Sequence, residues 1–241
     1  TVLISQAYGA SHKQRLEDAL HTSYAFGILG GIGLGVLGVV LAPLMLEWMN
    51  TPAELMEMST LYIRIYFSGL VFVFIYNMGA AILRAIGDSR RPLYYLVVCC
   101  IVNIVLDLIL VLYCNLGVLG VAAATLVSQA ISAVMVTWAL MYKVDCMALS
   151  VRKIKIHGAV LKNMLQIGFP SGLQASMYSI SNMIVQAALN LLGVNTMAAW
   201  TAYGKIDSVF WMINSSFGIA LTTFVGQNFG AGKWDRVKKG T

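Results

Sequence analysis

Charge is what this sequence is short of. Of its 241 residues, 16 are Lys or Arg and 10 are Asp or Glu, 11% in all, where soluble chains carry about 25%. With 59% hydrophobic residues and a mean hydropathy of +0.78, the chain falls outside the soluble class. Cysteine is equally sparse. Cys99, Cys100, Cys114 and Cys146 show neither zinc-site spacing nor a disulfide framework, and read as single thiols. The three histidines, His12, His21 and His157, are scattered and read as interfacial polar residues. With no HExxH motif and no serine elbow, no enzyme constellation is visible. No starting Met or signal peptide opens the chain, which reads as an excerpt of a longer protein.

What is present is long uncharged runs. About 20 apolar residues at 1.5 Å each cross a hydrocarbon core of about 30 Å. Runs of that kind are Ala19 to Leu46, Ile65 to Leu83, Pro92 to Tyr142 (two spans about the turn Asn115 to Gly120), Asn163 to Gly204 and Ser208 to Gly232. With a further break at Gly193-Val-Asn195, they predict six membrane helices.

Basic residues orient these helices. They cluster at Lys13 and Arg15; at Arg84, Arg90 and Arg91; from Lys143 to Lys162; and from Lys233 to Lys239, while the intervening turns at Glu47 to Glu57, Asn115 to Gly120 and Gly193 to Asn195 hold none. The positive-inside rule makes the four clusters cytoplasmic. Scattered cytoplasmic loops also account for the pI of about 9.2, so nucleic-acid binding is not expected. The longest polar stretch, Lys143 to Lys162, reads as a solvated charged linker.

The chain repeats itself. Thr1-Val-Leu-Ile-Ser-Gln-Ala-Tyr-Gly-Ala-Ser-His-Lys-Gln-Arg15 aligns without a gap to Thr222-Thr-Phe-Val-Gly-Gln-Asn-Phe-Gly-Ala-Gly-Lys-Trp-Asp-Arg236. Both copies leave the membrane on the basic side, so an even number of helices separates them and the repeat is parallel. The chain covers one six-helix period.

Within the spans, polar residues are few enough to weigh singly. Gly33-Leu-Gly-Val-Leu-Gly38 matches a dinucleotide-binding pattern but lies inside a membrane run, where Gly27, Gly31 and Gly35 form a packing stripe instead. Arg64 can snorkel to the outer interface; Tyr62 and Asn77 share its span. Pro170 interrupts a later one. Between Arg91 and Lys143 the one charge is Asp107, with Asn103 four residues earlier on the same face. Insertion of a central Asp costs about 2.5 to 3.5 kcal/mol, so that face is turned to protein or water. Near the end, Lys205 and Asp207 lie two apart, too far round the helix to pair, and Asp207 is expected to line a cavity.

Five stretches then carry a resemblance: Leu83-Arg-Ala-Ile-Gly-Asp-Ser-Arg-Arg-Pro92, Asn103-Ile-Val-Leu-Asp107, Gly120-Val-Ala-Ala-Ala-Thr-Leu-Val-Ser-Gln129, Gly168-Phe-Pro-Ser-Gly-Leu-Gln174 and Phe224-Val-Gly-Gln-Asn-Phe-Gly-Ala-Gly-Lys233. In order and spacing the chain resembles the multidrug and toxic compound extrusion (MATE) transporters. The resemblance implies an all-α, polytopic membrane helix bundle, part of a two-lobe, twelve-helix transporter with parallel six-helix repeats, of which this chain holds helices 3 to 8. Residues 1–142 would be four helices of the first lobe, 143–162 the cytoplasmic inter-lobe linker and 163–241 the first two helices of the second lobe. Asn103, Asp107 and Thr125 match the family's first-lobe cation site; Tyr62 and Asn77 match more loosely. That site also uses an Asp on the family's first helix, which this chain lacks; in the pseudo-equivalent helix of the second lobe, Asn182 stands where that Asp would. A second-lobe Glu found near Tyr178 in some relatives is missing, which puts coupling of that type in doubt.

Chemically, a lone membrane carboxylate must be neutralised by a proton or a cation. Asp107 with the Asn103 carbonyl and Thr125 hydroxyl offers hard oxygen ligands for sodium, or Asp107 takes a proton; the residues do not choose. The expectation is a monomeric, multi-pass antiporter of the bacterial inner (plasma) membrane that exports organic, cationic or amphipathic compounds in exchange for sodium or protons. Tyr62, Asn77, Gln174, Asn182, Lys205 and Asp207 are the cavity candidates. A lipid-linked sugar flippase of similar architecture and a non-transporting structural membrane protein remain as alternatives.

Overall fold

Residues 1–49, 51–144, 147–190 and 193–241 are described by the computed structural model; Asn50 of the outer turn and Cys146 lie outside them. Every regular element among these residues is helical: α1 (Val2–Gly9), α2 (Lys13–Trp48), α3 (Ala53–Ser68), α4 (Leu70–Ala85), α5 (Arg90–Leu108), α6 (Gly117–Tyr142), α7 (Gly158–Asn190), α8 (Val194–Gly230) and α9 (Trp234–Gly240). Uncharged runs have no water to satisfy their backbone, and a helix pairs each N–H and C=O within its own segment.

Five spans among the described residues are long and apolar enough to cross a membrane: α2, α3 with α4, α5 with the turn after it, α6, and α8 from Thr196. The sixth expected helix is α7. It has the length, 33 residues, but Gln166, Gln174, Asn182 and Gln186 keep it below the apolarity of the others. Pro170 lies inside it without ending it.

The second span, expected as one helix, is two. It breaks at Gly69, whose N–H is shared between the carbonyls of Ile65 and Tyr66 (3.2 and 3.1 Å), while the Ser68 hydroxyl bonds Ile65 at 2.6 Å. The break fits onto α2 through the glycine stripe. A Cβ on Gly31 would stand 2.7 Å from Val71 Cα, one on Gly35 2.8 Å from the Phe67 carbonyl oxygen, and one on Gly38 would overlap the Phe67 ring. The stripe is thus a close-packing surface, as its spacing implied.

Most of the core lies at the end of the bundle that carries the basic clusters. Leu16, Leu20 and Tyr24 of α2 meet Ile82 and Leu83 of α4, and Val136 and Leu140 of α6. Here the structure differs from the expected solvated linker. Met147 and Leu149 are 2% and 4% exposed within this core, and the Leu149 N–H donates to the Leu140 carbonyl at 3.0 Å. Apolar residues in a basic loop have no other place to avoid water.

His21, expected at the interface, is 3% exposed and holds the linker. Its Nδ1 lies 2.7 Å from the Glu17 carbonyl and so carries the proton, and its Nε2 accepts from the Ser150 N–H at 3.2 Å. Thr22, the next residue, accepts from the His157 N–H at 3.2 Å. The turn between α4 and α5 is tied to the same place. Asp88 accepts from the N–H groups of Arg90 and Arg91, and Arg91 donates to the Lys143 carbonyl at 2.7 Å.

The two copies of the sequence repeat touch each other. α1 packs on the last turns of α8, and the contact is reciprocal: Gly9 lies on the Gln227 carbonyl, and its repeat mate Gly230 lies on the carbonyl of Gln6, the mate of Gln227. Ser5 lies on its own mate, Gly226. A local two-fold relation between the repeats follows from this pairing. Across the same seam, Thr223 donates to the Arg84 carbonyl at 3.3 Å, beside the Gly87 N–H, and Gln227 donates to the Ala85 carbonyl at 2.9 Å, an acceptor at the end of α4.

Candidate functional site

The polar face of α5 forms as its spacing implied. Asn103 and Asp107 are each half-buried, one turn apart. The Nδ2 of Asn103 and the Oδ1 of Asp107 are buried, and neither has a hydrogen-bond partner among the described residues. A buried group left this way costs about 1–3 kcal/mol, and more if charged, so the pair is set up for something that it does not itself supply. The amide of Asn can be turned by 180° without other change, which puts a second oxygen beside that of Asp107.

Directly after Asp107 the helix widens. Ile109–Tyr113 form a π-turn, closed by the Cys114 N–H on the Ile109 carbonyl at 3.1 Å. Such wide turns occur often at functional sites. Two left-handed residues, Asn115 (φ 51°) and Gly117 (φ 51°), then reverse the chain into α6. Gly120 allows α6 to press on the wide turn, because a Cβ there would be 3.1 Å from Leu110 Cβ.

α6 therefore runs back along α5 from the Gly120–Leu110 contact, and Thr125, five residues on, comes level with the stretch between Asn103 and Asp107. Its hydroxyl donates to the Val121 carbonyl at 3.0 Å, which leaves its lone pairs free. No hydrogen bond joins Thr125 to Asn103 or Asp107 among the described residues.

The remaining candidates are dispersed. Tyr62 of α3 borders a cavity of about 450 Å³ with Met58, Leu61 and the turn at Asn115 to Leu119. Asn77 is exposed and donates to the Val73 carbonyl of its own helix at 2.9 Å. Arg64 donates to the Val39 carbonyl at 3.4 Å. Gln174 and Asn182 are exposed on α7, and Lys205 is exposed on α8. Asp207 accepts from the Tyr203 hydroxyl at 3.4 Å, and no Lys205–Asp207 ion pair forms among the described residues.

Sequence reasoning found both copies of the repeat but not that they meet. The signal was there in the matched Gln6/Gln227 and Gly9/Gly230, since glycine kept at one place in two copies marks a close approach. The π-turn left no comparable trace.

Comparison with known proteins agrees with this arrangement. The profile described as MatE matches residues 1–109 and 170–240. A probable multidrug resistance protein of Bacillus subtilis, YoeA, is 32% identical over 99% of this chain and 53% of its own length. A second from the same organism, YpnP, is 30% identical over 86% of this chain and 46% of its own. A crystal structure of MATE in the bent conformation superposes with a TM-score of 0.91 at 24% identity, covering 99% of this chain and 54% of that one. The chain spans about half the length of the relatives it matches. With its repeat, its membrane-length apolar helices and its profile in agreement, it is a multi-pass membrane protein and belongs to the MatE family.

Proposed function

We propose that the full-length protein is a secondary antiporter of the bacterial inner membrane that exports organic compounds in exchange for sodium ions or protons. The Nδ2 of Asn103 and the Oδ1 of Asp107, buried and without a partner among the described residues on one face of α5, are the observation that carries this reading. A cation between them removes the cost of leaving a carboxylate oxygen bare, and the Thr125 hydroxyl is at the depth to join it. A proton on Asp107 does the same with a single bond. Relatives named as multidrug resistance proteins support drug export as the transport class.

Residues 1–142 are then part of the first lobe, 143–162 the cytoplasmic linker and 163–241 the start of the second lobe. Alternating access is the relative motion of the two lobes about the site between them. Arg64 and Lys205 are the cationic side chains that lie within these spans, fewer than a lipid-linked sugar site calls for, and so support drug-type export.

The test is efflux of a preloaded fluorescent substrate from right-side-out vesicles carrying the full-length protein, with sodium and proton gradients imposed separately. Efflux driven by one of them, and abolished in Asp107→Asn at normal membrane levels, is the expected result. Efflux that ignores both gradients would overturn the antiporter reading.

A further inference from the structure

The contacts of α8 fix which way each of its side chains faces. Thr223, Gly226, Gln227 and Gly230 all touch the first repeat, through α4 or α1. α8 runs unbroken from Val194 to Gly230 without proline, so the phase set at one end holds to the other. Lys205 precedes Thr223 by 18 residues, which is five turns at about 3.6 residues per turn, and so it stands over Thr223 about 27 Å away along the helix. Asp207 is about 160° away from that line.

Two further observations agree with this phase. Trp211, about 120° from the line, packs on Tyr178 of α7 with ring centroids 5.6 Å apart, so that side of α8 belongs to the second repeat. Asp207 lies beyond it and takes the Tyr203 hydroxyl. The two charges, adjacent in sequence, therefore serve different surfaces. Lys205 is exposed and its ammonium has no hydrogen bond or ion pair among the described residues. It is not a helix-end residue either, because α8 continues from Lys205 to Val194, about 16 Å further.

We infer that Lys205 is the charged recognition residue on the wall of α8 that faces the first repeat, and that it takes an acidic group, a carboxylate, of the transported compound. The rest of that wall is nearly neutral: Ser208, Met212, Ser216 and Ile219 lie within about 60° of the same line. A single ammonium on an otherwise uncharged wall near the hydrocarbon is strongly attractive to an anion, since the surrounding medium screens it poorly. Amphipathic compounds bearing a carboxylate fit such a wall, with the apolar part on Met212 and Ile219. Asp207, directed away, does not select for cations in the cleft. The inference rests on the export reading and narrows its substrate class.

Two arms test it in the full-length protein. In a cysteine-free background in proteoliposomes, Lys205→Cys should react with a membrane-impermeant maleimide at least tenfold faster than Asp207→Cys. In efflux assays, Lys205→Met should lower carboxyfluorescein transport at least fivefold relative to ethidium, and Lys205→Arg should restore the ratio. Equal labelling at the two positions overturns the placement of Lys205 while leaving export untouched. An unchanged dye ratio in Lys205→Met overturns the recognition role. Cysteine variants that label as expected, with a wild-type protein that moves neither dye under any gradient, overturn the export reading, and the recognition role falls with it.

Discussion

Gly9 lies so close to Gln227 that a methyl group on it would overlap the carbonyl oxygen of Gln227, and the repeat-related pair, Gly230 and Gln6, meet in the same way. Two segments that share a sequence have become each other's binding surface, which is the isologous arrangement of a two-fold dimer built into one chain. The seam leaves no space for side chains at these positions. It joins the two repeats at the basic side of the molecule.

A disulfide should report the seam. A Cβ on Gly226 would stand 2.9 Å from Ser5 Cβ, under an ångström short of the about 3.5–4.5 Å usual between bridged cysteines. The Ser5→Cys/Gly226→Cys variant of the full-length protein should crosslink on mild oxidation, lose gradient-driven efflux and recover it with reductant. Absence of the bridge on electrophoresis would mean that the seam does not close in the membrane. Gly230→Val should give the opposite defect, a seam that cannot close, with efflux lost and insertion unchanged.

The unpartnered pair on α5 gives a prediction about stability as well as transport. Asp107→Asn replaces a bare carboxylate by a neutral amide, whose burial without a partner costs less than that of a charged group. Its unfolding midpoint in detergent should be no lower than that of the wild type. Addition of sodium should raise the wild-type midpoint and leave that of Asp107→Asn unmoved. A drop in midpoint with the cation response retained would remove Asp107 from the coupling site.

How much of this was legible beforehand differs from element to element, and for identifiable reasons. The spans were readable because bilayer thickness imposes a length on uncharged runs, and Asp107 was readable because nothing near it in sequence is charged. The break at Gly69 was not, because glycine is common in membrane helices that do not break; the break depends on Phe67 and Val71 fitting the stripe on α2, a contact between distant segments. The docking of Met147 and Leu149 was hidden by the surrounding basic residues, whose charge dominates the local composition. The phase of Lys205 and Asp207 could not be fixed until the contacts of α8 some five turns away were known.

The linker offers a separate test. Leu149 is 4% exposed in the core of the basic end, and Leu→Ala at such a site costs about 2–5 kcal/mol. Because the adjacent Arg152 and Lys153 are exposed trypsin sites, undocking can be read directly. Leu149→Ala should be nicked between 150 and 156 at least tenfold faster than wild type, and His21→Phe, which loses the acceptor for the Ser150 N–H, should behave alike. Equal digestion rates would show that the linker is solvated after all.

The three glycines of Gly33-Leu-Gly-Val-Leu-Gly38 should not behave alike, and the difference separates packing from any role for the motif as a unit. A Cβ on Gly33 meets nothing within 4 Å, one on Gly35 would be 2.8 Å from the Phe67 carbonyl oxygen, and one on Gly38 would overlap the Phe67 ring. Gly33→Leu puts a better helix former on an open face and should leave the unfolding midpoint equal or higher. At Gly35 the neighbour is backbone and cannot rotate away, so Gly35→Leu forces α2 off the α3–α4 break. Overpacking of this kind costs typically about 1–3 kcal/mol. Gly38→Leu meets the Phe67 ring close to its root, overlapping three of its atoms, and should be at least as harmful as Gly35→Leu. If all three substitutions were equally harmful, the glycines would be acting together, as in a nucleotide-binding loop, and the packing account of the stripe would fail; a mild Gly33→Leu beside harmful Gly35→Leu and Gly38→Leu follows from nothing but what stands opposite each one.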